Sequence, residues 1–189
     1  MPVSVTVAPA TDVLTLAEAK AHLRIATSGD DTLITALNSA AGLAIERRCR
    51  RAFITQTLLL TLPEWPGDVI YIPRPSLISV GSVKYRDTAG ALQTEAGTVY
   101  HVETEAHPGR VSLLADQSWS NTETHPQAVQ VTYDAGYGAS AAVPEDIKQA
   151  IRIQLDVLWD GRTKSREDAI AALIAPHRIH SPPAAMGTL

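Results

Sequence analysis

The amino-acid sequence predicts an α+β fold: a small helical bundle formed by the N- and C-terminal segments, with an inserted antiparallel β-sheet or sandwich region. Three observations predict this fold. Helical apolar periodicities occur over residues 15–52 and again over residues 144–174, and the stretch between them consists of short apolar runs separated by Pro and Gly. We predict an extended N-terminal arm over residues 1–14, the inserted β region over 53–143 and a C-terminal tail over 175–189.

The N-terminal helical segment is predicted to contain two helices. Thr15 and Glu18 form the capping-box pattern that opens a helix ending near Ile25. The polar cluster at 27–31 breaks this helix and begins a longer one. In the longer helix the apolar positions predict one narrow stripe for close helix packing, made of Leu33, Ile34, Leu37, Ala40, Ala41, Ala44 and Ile45.

The inserted region is predicted to contain strands, because β-branched and apolar residues concentrate in short runs bounded by turn residues. Regular short strands of this kind favour a compact antiparallel sheet or a sandwich. The predicted strands are Thr55–Leu62, Val69–Ile72, Leu77–Tyr85, Val99–Glu103, Arg110–Leu114 and Ala128–Tyr133.

A third helix is predicted to open at Pro144, where the missing backbone N–H breaks no hydrogen bond. The apolar arc of this helix is wider than one neighbouring helix needs. Two explanations fit equally well: packing in a crowded bundle, or an additional face that contacts a second subunit. The first sector of the arc contains Ile147, Ile151, Leu155 and Leu158. The adjacent sector, which we predict to be a subunit interface, contains Ala150, Ile153 and Val157.

A short fourth helix is predicted after the cap-like sequence Ser165–Asp168, and Pro176 ends it. Its apolar residues are Ile170, Leu173 and Ile174. The tail that follows has no periodicity with which to pack alone, so we expect it to be disordered or to order on a partner.

Composition restricts the function classes. Hydrophobic residues make up 45% of the chain and charged residues 19%, which is typical of a folded globular protein. A net charge of −4 argues against a protein that wraps nucleic acid through its overall charge. The sequence shows no secretory signal and no apolar run long enough for a membrane span. Cys49 is predicted to be a small buried thiol.

No constellation of catalytic or metal-binding residues is apparent, and we predict no cofactor and no enzyme activity. The turn at 136–138 lacks the further glycines and the lysine of a nucleotide-binding loop. A small hydrolase using the β region is a remote alternative without motif support. Six histidines match no metal-binding spacing; they are His22, His101, His107, His125, His177 and His180.

Several short motifs, in their joint order, carry a resemblance to a known family. Together they span residues 14–160, and the likeness fades beyond Trp159. They are Leu14–Arg24, Asp30–Ile34, Ile54–Thr57, Ile72–Val80, Val83–Gly90, Pro108–Val111, Tyr133–Gly138 and Val143–Ile151. In this order the motifs resemble the head–tail connector (adaptor) proteins of tailed double-stranded-DNA phages and of gene transfer particles.

The resemblance implies a non-enzymatic structural protein of the virion, located at the head–tail interface and made in the host cytoplasm. Such adaptors form a ring, typically dodecameric, beneath the portal protein and join it to a stopper or tail-terminator protein. Genome DNA passes through the ring, so the resemblance also implies transient contact with double-stranded DNA and no membrane. A mildly acidic chain fits such a channel, because tight phosphate binding would retard the DNA.

The resemblance also implies which residues contact the portal, because C-terminal segments of such adaptors often grip it. The apolar anchors would be Ile170, Leu173 and Ile174, and the polar contacts Arg162, Arg166 and Arg178. We expect a chain lacking residues 163–189 to stay folded and to lose portal binding. The alternative function is a DNA-binding factor in genome packaging, which would use the basic cluster Arg47, Arg48, Arg50 and Arg51.

Overall fold

The computed structural model describes residues 2–161 and 166–179. Within these residues the chain forms four α-helices and two antiparallel sheets, so the predicted α+β class is confirmed. The chain divides into two compact units. The β unit combines residues 2–8 with Thr55–Gly136, and the helical unit combines Pro9–Ile54 with the described part of Tyr137–Ile179.

The described part of the β unit contains eight strands in two sheets. In chain order they are β1 (Val3–Val7), β2 (Gln56–Leu62), β3 (Val69–Tyr71), β4 (Leu77–Arg86), β5 (Leu92–Thr94), β6 (Tyr100–Glu103), β7 (Arg110–Leu113) and β8 (Val129–Ala135). The larger sheet has the order β1-β2-β8-β4-β5 and the smaller sheet β3-β7-β6. All neighbouring strands are antiparallel.

The centre of the larger sheet is the β2–β8 pair, in which Leu58 lies opposite Tyr133 and Leu60 opposite Val131. All four of these side chains are fully buried. The Tyr133 hydroxyl donates to the carbonyl of Pro73 at 2.9 Å, which satisfies the polar end of the ring, and burial raises its pKa. Alternation along β2 and β8 therefore supplies the core of this unit.

Four helices form the helical unit: α1 (Leu16–Leu23), α2 (Asp31–Cys49), α3 (Glu145–Asp160) and α4 (Glu167–Ile174). The predicted capping box at the start of α1 is confirmed. The Thr15 Oγ1 accepts from the Glu18 N–H at 3.2 Å, and a Glu18 carboxylate oxygen accepts from the Thr15 N–H at 2.7 Å. Helix α3 follows Pro144 as the sequence predicts, with Pro144 at the N-cap position.

One apolar core joins all four helices, since residues from both ends of the chain belong to it. Its members on α2, α3 and α4 include Ile34, Ala41, Ile45, Ile147, Ile151, Leu155, Ile170 and Ile174, all at most 1% exposed. The buried Asn38 side chain donates to the Leu14 carbonyl at 2.8 Å. This hydrogen bond ties the segment before α1 to the middle of α2.

Four details differ from the sequence predictions. The predicted α2 stripe is divided, because Ile34, Ala41 and Ile45 face the core whereas Leu33 and Ala40 are exposed. Adjacent helix positions differ by about 100°, so one apolar run can supply two faces. On α3, Leu158 is 40% exposed, whereas the other residues of its predicted sector, Ile147, Ile151 and Leu155, are buried.

The N-terminal segment predicted to be an extended arm contains a strand and two core residues. Strand β1 pairs with β2 from Val3 to Val7, with an irregularity between Val5 and Val7. Val13 and Leu14 are buried in the helical unit. Strand β5 was also absent from the sequence prediction, because Leu92–Thr94 is short and exposed and shows no burial alternation.

Candidate assembly surfaces

The C-terminal segment that the resemblance implies as a portal contact is anchored in the helical unit through α4. Ile170 and Ile174 are buried in the core, and Leu173 is half-buried against it. Residues four apart on a helix share one face, which explains why these two isoleucines point inward together. The exposed residues of α4 are two acidic residues in its first turn, Glu167 and Asp168, and the small residues Ala169, Ala171 and Ala172.

Ion pairs hold the start of α4. Arg48 Nη1 lies 2.9 Å from a Glu167 carboxylate oxygen, which joins the end of α2 to the first turn of α4. Arg166 lies 3.8 Å from Asp156 and 3.7 Å from Asp160, both on α3. At these longer distances Arg166 contributes modestly, as exposed pairs do. Arg166, which was predicted to contact the portal, therefore makes intramolecular contacts with α3.

The residues that follow α4 are fastened by backbone-directed hydrogen bonds. Arg51 Nε donates to the His177 carbonyl at 2.7 Å, and the Ile179 N–H donates to the Cys49 carbonyl at 3.0 Å. His177 Nε2 lies 2.6 Å from an Asp146 carboxylate oxygen. Burial raises the pKa of Asp146, but hydrogen bonding and the positive charge of His177 outweigh it and hold that pKa below its ordinary value.

The structure separates the other predicted contact residues by exposure. Arg178 is exposed, whereas Arg162 lies outside the described residues. Of the predicted subunit-interface residues, Ala150 and Val157 are buried within the helical unit itself and Ile153 is half-buried. Ala150 and Val157 can therefore influence an interface through the position of α3 and not by direct contact.

Arg48 and Arg51 of the basic cluster at the end of α2 make structural contacts. Arg48 pairs with Glu167, and Arg51 reaches the His177 carbonyl with its guanidinium carbon 5.8 Å from the centre of the Tyr137 ring. Arg47 and Arg50 are exposed. The cluster therefore does not act as a set of four solvent-facing cations, which weakens the DNA-binding alternative.

The described residues offer little reactive chemistry. Cys49 is buried, as predicted, and burial raises its pKa to about 11 although Arg51 and Arg48 act in the opposite direction. Among residues 2–161 and 166–179, no group of three metal-ligating side chains comes together. No helix in that part of the chain is sufficiently long and apolar to cross a membrane.

A surface that the sequence prediction missed lies on the outer side of α2. Four of its residues, Leu33, Ala36, Ala40 and Leu43, are exposed, and the two leucines are 51% and 45% exposed. The signal was present in the sequence: from residue 32 to residue 45 the helix contains no charged side chain. We name these four residues the α2 outer face.

A small cleft adjoins the α2 outer face within the helical unit. Its volume is about 100 Å³. On one side it is lined by Ser39, Gly42, Leu43 and Glu46 of α2, and on the other by Pro9, Thr11, Asp12, Val13, Phe53 and Ile54.

Comparison with solved structures finds the same fold in components of gene transfer agent (GTA) particles. A chain from the neck of an empty GTA particle, computed with C6 symmetry, matches with a TM-score of 0.80 and 23% identity over 97% of this chain and 98% of that one. A chain from the virion of a native GTA particle matches with a TM-score of 0.81 and 22% identity, over 98% and 100%. The chain shares the fold of these particle components.

A third similar chain comes from the neck of a native GTA particle computed with C12 symmetry. Its TM-score is 0.78 and its identity 23%, over 97% of this chain and 98% of that chain. No protein-family model and no curated protein matches this sequence. The shared fold covers both the helical and the β unit, because the alignments extend over nearly the whole of each chain.

Proposed function

We propose that this chain is a structural head–tail adaptor of a virus-like particle, located in the neck of the virion. The main support is that the whole chain, and not one unit of it, shares its fold with chains from the necks of GTA particles. The order of sequence motifs that resembles phage and gene-transfer-particle adaptors supports the same function independently. In this function the chain works by binding its neighbours and not by catalysis.

The proposed arrangement is a ring of copies, twelve in number, beneath the portal protein. The C12 symmetry of one similar neck supports this copy number. On its other side the ring would join a stopper or tail-terminator protein, and DNA would pass through it with only transient contact. Net charge −4 suits such a passage, because few phosphates would be neutralised on the way.

We propose that the C-terminal segment binds the portal. The anchoring of α4 supports this, since hydrogen bonds from Arg51 and Ile179 hold the described chain as far as its last residue, Ile179. Ile170 and Ile174 would act from the core by fixing α4. Direct contacts would come from residues 180–189 and, in the predicted set, from exposed Arg178, from half-buried Leu173 and Arg166, and from Arg162.

The truncation of residues 163–189 considered above is a poor test of portal binding, because Ile170 and Ile174 lie in the core. Removing such a side chain costs about 2–5 kcal/mol, so that truncated chain is expected to unfold. A sharper variant ends at Ile179 and keeps every described contact of α4. An Arg178→Ala variant of the full chain tests the last described exposed cation.

The experiment mixes the purified full chain with portal rings of the same particle and images the complex by electron microscopy. We expect a ring of copies on the tail-facing end of the portal. The chain ending at Ile179 should keep the unfolding midpoint of the full chain and bind the portal at least tenfold more weakly. The affinity of the Arg178→Ala variant for the portal should lie between those of the full chain and the chain ending at Ile179.

Two results would contradict the proposal. One is a full chain of normal stability that does not bind the portal. The other is tight, salt-dependent binding to duplex DNA that disappears when the exposed Arg47 and Arg50 are both replaced by alanine, which would favour the packaging factor.

A further inference from the structure

The α2 outer face has the wrong composition for a surface in permanent contact with water. A helix on the surface of a globular protein normally carries charged side chains on its outer side. Here no charge occurs between residues 32 and 45, although Thr32, Leu33, Thr35, Ala36, Ser39, Ala40 and Leu43 are all exposed. Helix α2 therefore has the composition of a helix that packs against protein on its outer side as well as on its core side.

The spacing of the apolar residues on this face is that of a helix-packing seam. Leu33, Ala36, Ala40 and Leu43 occur at positions i, i+3, i+7 and i+10, which is the a/d pattern of a heptad repeat. The leucines stand about 15 Å apart along the axis, with the two alanines between them. Small side chains between large ones allow another backbone to approach closely.

The cleft next to this seam provides a second, independent feature for docking. Gly42 contributes no side chain at its edge, and a Cβ placed there would meet no atom within 4 Å. The cleft volume of about 100 Å³ is below the roughly 150 Å³ of an engineered cavity that holds benzene, so it fits one aliphatic side chain. A partner could therefore pack along the leucines and insert a single residue beside Leu43.

We infer that the α2 outer face and its cleft are the docking surface for a second copy of this chain. This inference rests on the proposed ring, in which each copy needs one surface for the next copy and a different surface for the previous one. Similar chains come from necks with C6 and C12 symmetry, where every subunit has like neighbours. The α2 surface supplies one half of such a head-to-tail contact.

The chemistry of the surface disfavours other occupants. Duplex DNA requires cations at the contact, and the helix has none from residue 32 to residue 45. A membrane surface selects helices with basic residues beside aromatic ones, and both are missing from the same stretch. Two exposed leucines and a cleft the size of one side chain match a second protein surface that carries aliphatic side chains.

The first experiment places a charge in the seam. Ala40→Glu adds a carboxylate at an exposed helix position, where glutamate is nearly as good a helix former as alanine. The matched control is Ala21→Glu, at an exposed position of α1. Both variants should keep the unfolding midpoint of the unmodified chain. Ala40→Glu should reduce the fraction of portal-bound rings at least tenfold, whereas Ala21→Glu should leave it unchanged.

The second experiment identifies the occupant directly. In an Ala36→Cys variant, a maleimide photo-crosslinker is attached to the new thiol; native Cys49, which is buried and has a pKa of about 11, stays unlabelled. Irradiation of portal-bound rings should join two copies of the chain, and an Ala21→Cys control should not. Mass spectrometry of the joined peptides then maps the second half of the contact.

The outcomes separate this inference from the proposed function. Rings that form normally with Ala40→Glu, or crosslinks from residue 36 to the portal or to DNA, would overturn the inference and leave the adaptor function standing. Absence of portal-bound rings for the unmodified chain would instead overturn the adaptor function.

Discussion

Two glycines of this chain occupy opposite environments, and the same substitution should therefore have opposite effects. A Cβ on Gly109 would lie 2.6 Å from the Leu77 Cβ, and the Gly109 carbonyl is held by the Ile72 N–H at 2.8 Å, so the backbone cannot easily move away. Gly109→Ala should cost about 1–3 kcal/mol by overpacking. Urea denaturation of the purified chain measures this loss.

Gly42→Ala is the matched change in open space. A helical glycine is less stable than alanine by about 0.5–1 kcal/mol, and no atom within 4 Å of the added methyl group opposes the gain. The variant should therefore be more stable than the unmodified chain in the same urea assay. Equal destabilisation by both substitutions would contradict the distinction between the two sites.

The capping box at α1 makes a pH-dependent prediction. Hydrogen bonds from the backbone and side chain of Thr15 lower the pKa of Glu18 from its ordinary value of 4.5. A lowered folded-state pKa gives stability that is present above pH 4.5 and is lost as pH falls through the folded value. Thr15→Ala should thus cost about 1 kcal/mol at neutral pH, and less once Glu18 is protonated.

Denaturation of Thr15→Ala, Thr15→Ser and the unmodified chain at pH 7 and pH 3 tests the cap. Serine retains the hydroxyl and should keep most of the stability. A Thr15→Ala cost that is the same at both pH values would rule out the reciprocal hydrogen bond with Glu18.

Local residue patterns were predictable and distant pairings were not. The Thr15 and Glu18 pattern is complete within four residues, so sequence alone located the cap. The partner of Asn38 is the Leu14 carbonyl, which comes near only after α2 folds back on the preceding segment. A buried polar residue of this kind gives no local signal of where its partner lies.

The final described element, from α4 to residue 179, depends on one arginine of the basic cluster. Arg51 Nε donates to the His177 carbonyl at 2.7 Å, and its guanidinium also faces Tyr137. Arg51→Ala should cost about 1.5–3 kcal/mol, the range for hydrogen bonds to charged groups. Hydrogen exchange should rise at the Ile179 amide, which bonds to the Cys49 carbonyl.

Arg47→Ala is the control in the same cluster, because Arg47 is exposed. Its effect on stability should stay within about 0.5 kcal/mol, as for ordinary surface positions. Equal effects of the two substitutions would mean that the Arg51 hydrogen bond does not fasten the C-terminal element.

At the level of elements, the sequence predicted, within a few residues, six of the eight strands found in residues 2–161 and 166–179. β2, β4 and β8 contain the β-branched and apolar runs that mark strands. β1 and β5 lie at the edges of the larger sheet and are mostly exposed, so they show no alternation of burial. The order β1-β2-β8-β4-β5 is non-local and had no signal in the sequence.

Across the whole molecule, the motif order predicted the fold that the solved GTA components share, but it did not locate the α2 outer face. The reason is physical: an exposed apolar face and a buried one have the same residue types. Only packing of Ile34, Ala41 and Ile45 in the core shows that Leu33 and Ala40 must point away from it. Absence of charge was the usable signal.

The core of the helical unit combines residues that are translated at widely separated times. Ile34 and Ile45 leave the ribosome more than a hundred positions before Ile170 and Ile174, which complete the same cluster. Because domains generally fold as units during synthesis, α2 lacks part of its core until Ile170 and Ile174 have been made. Chains that stop before α4 would then lack a stable α2 outer face, and in the proposed ring they would be excluded from assembly.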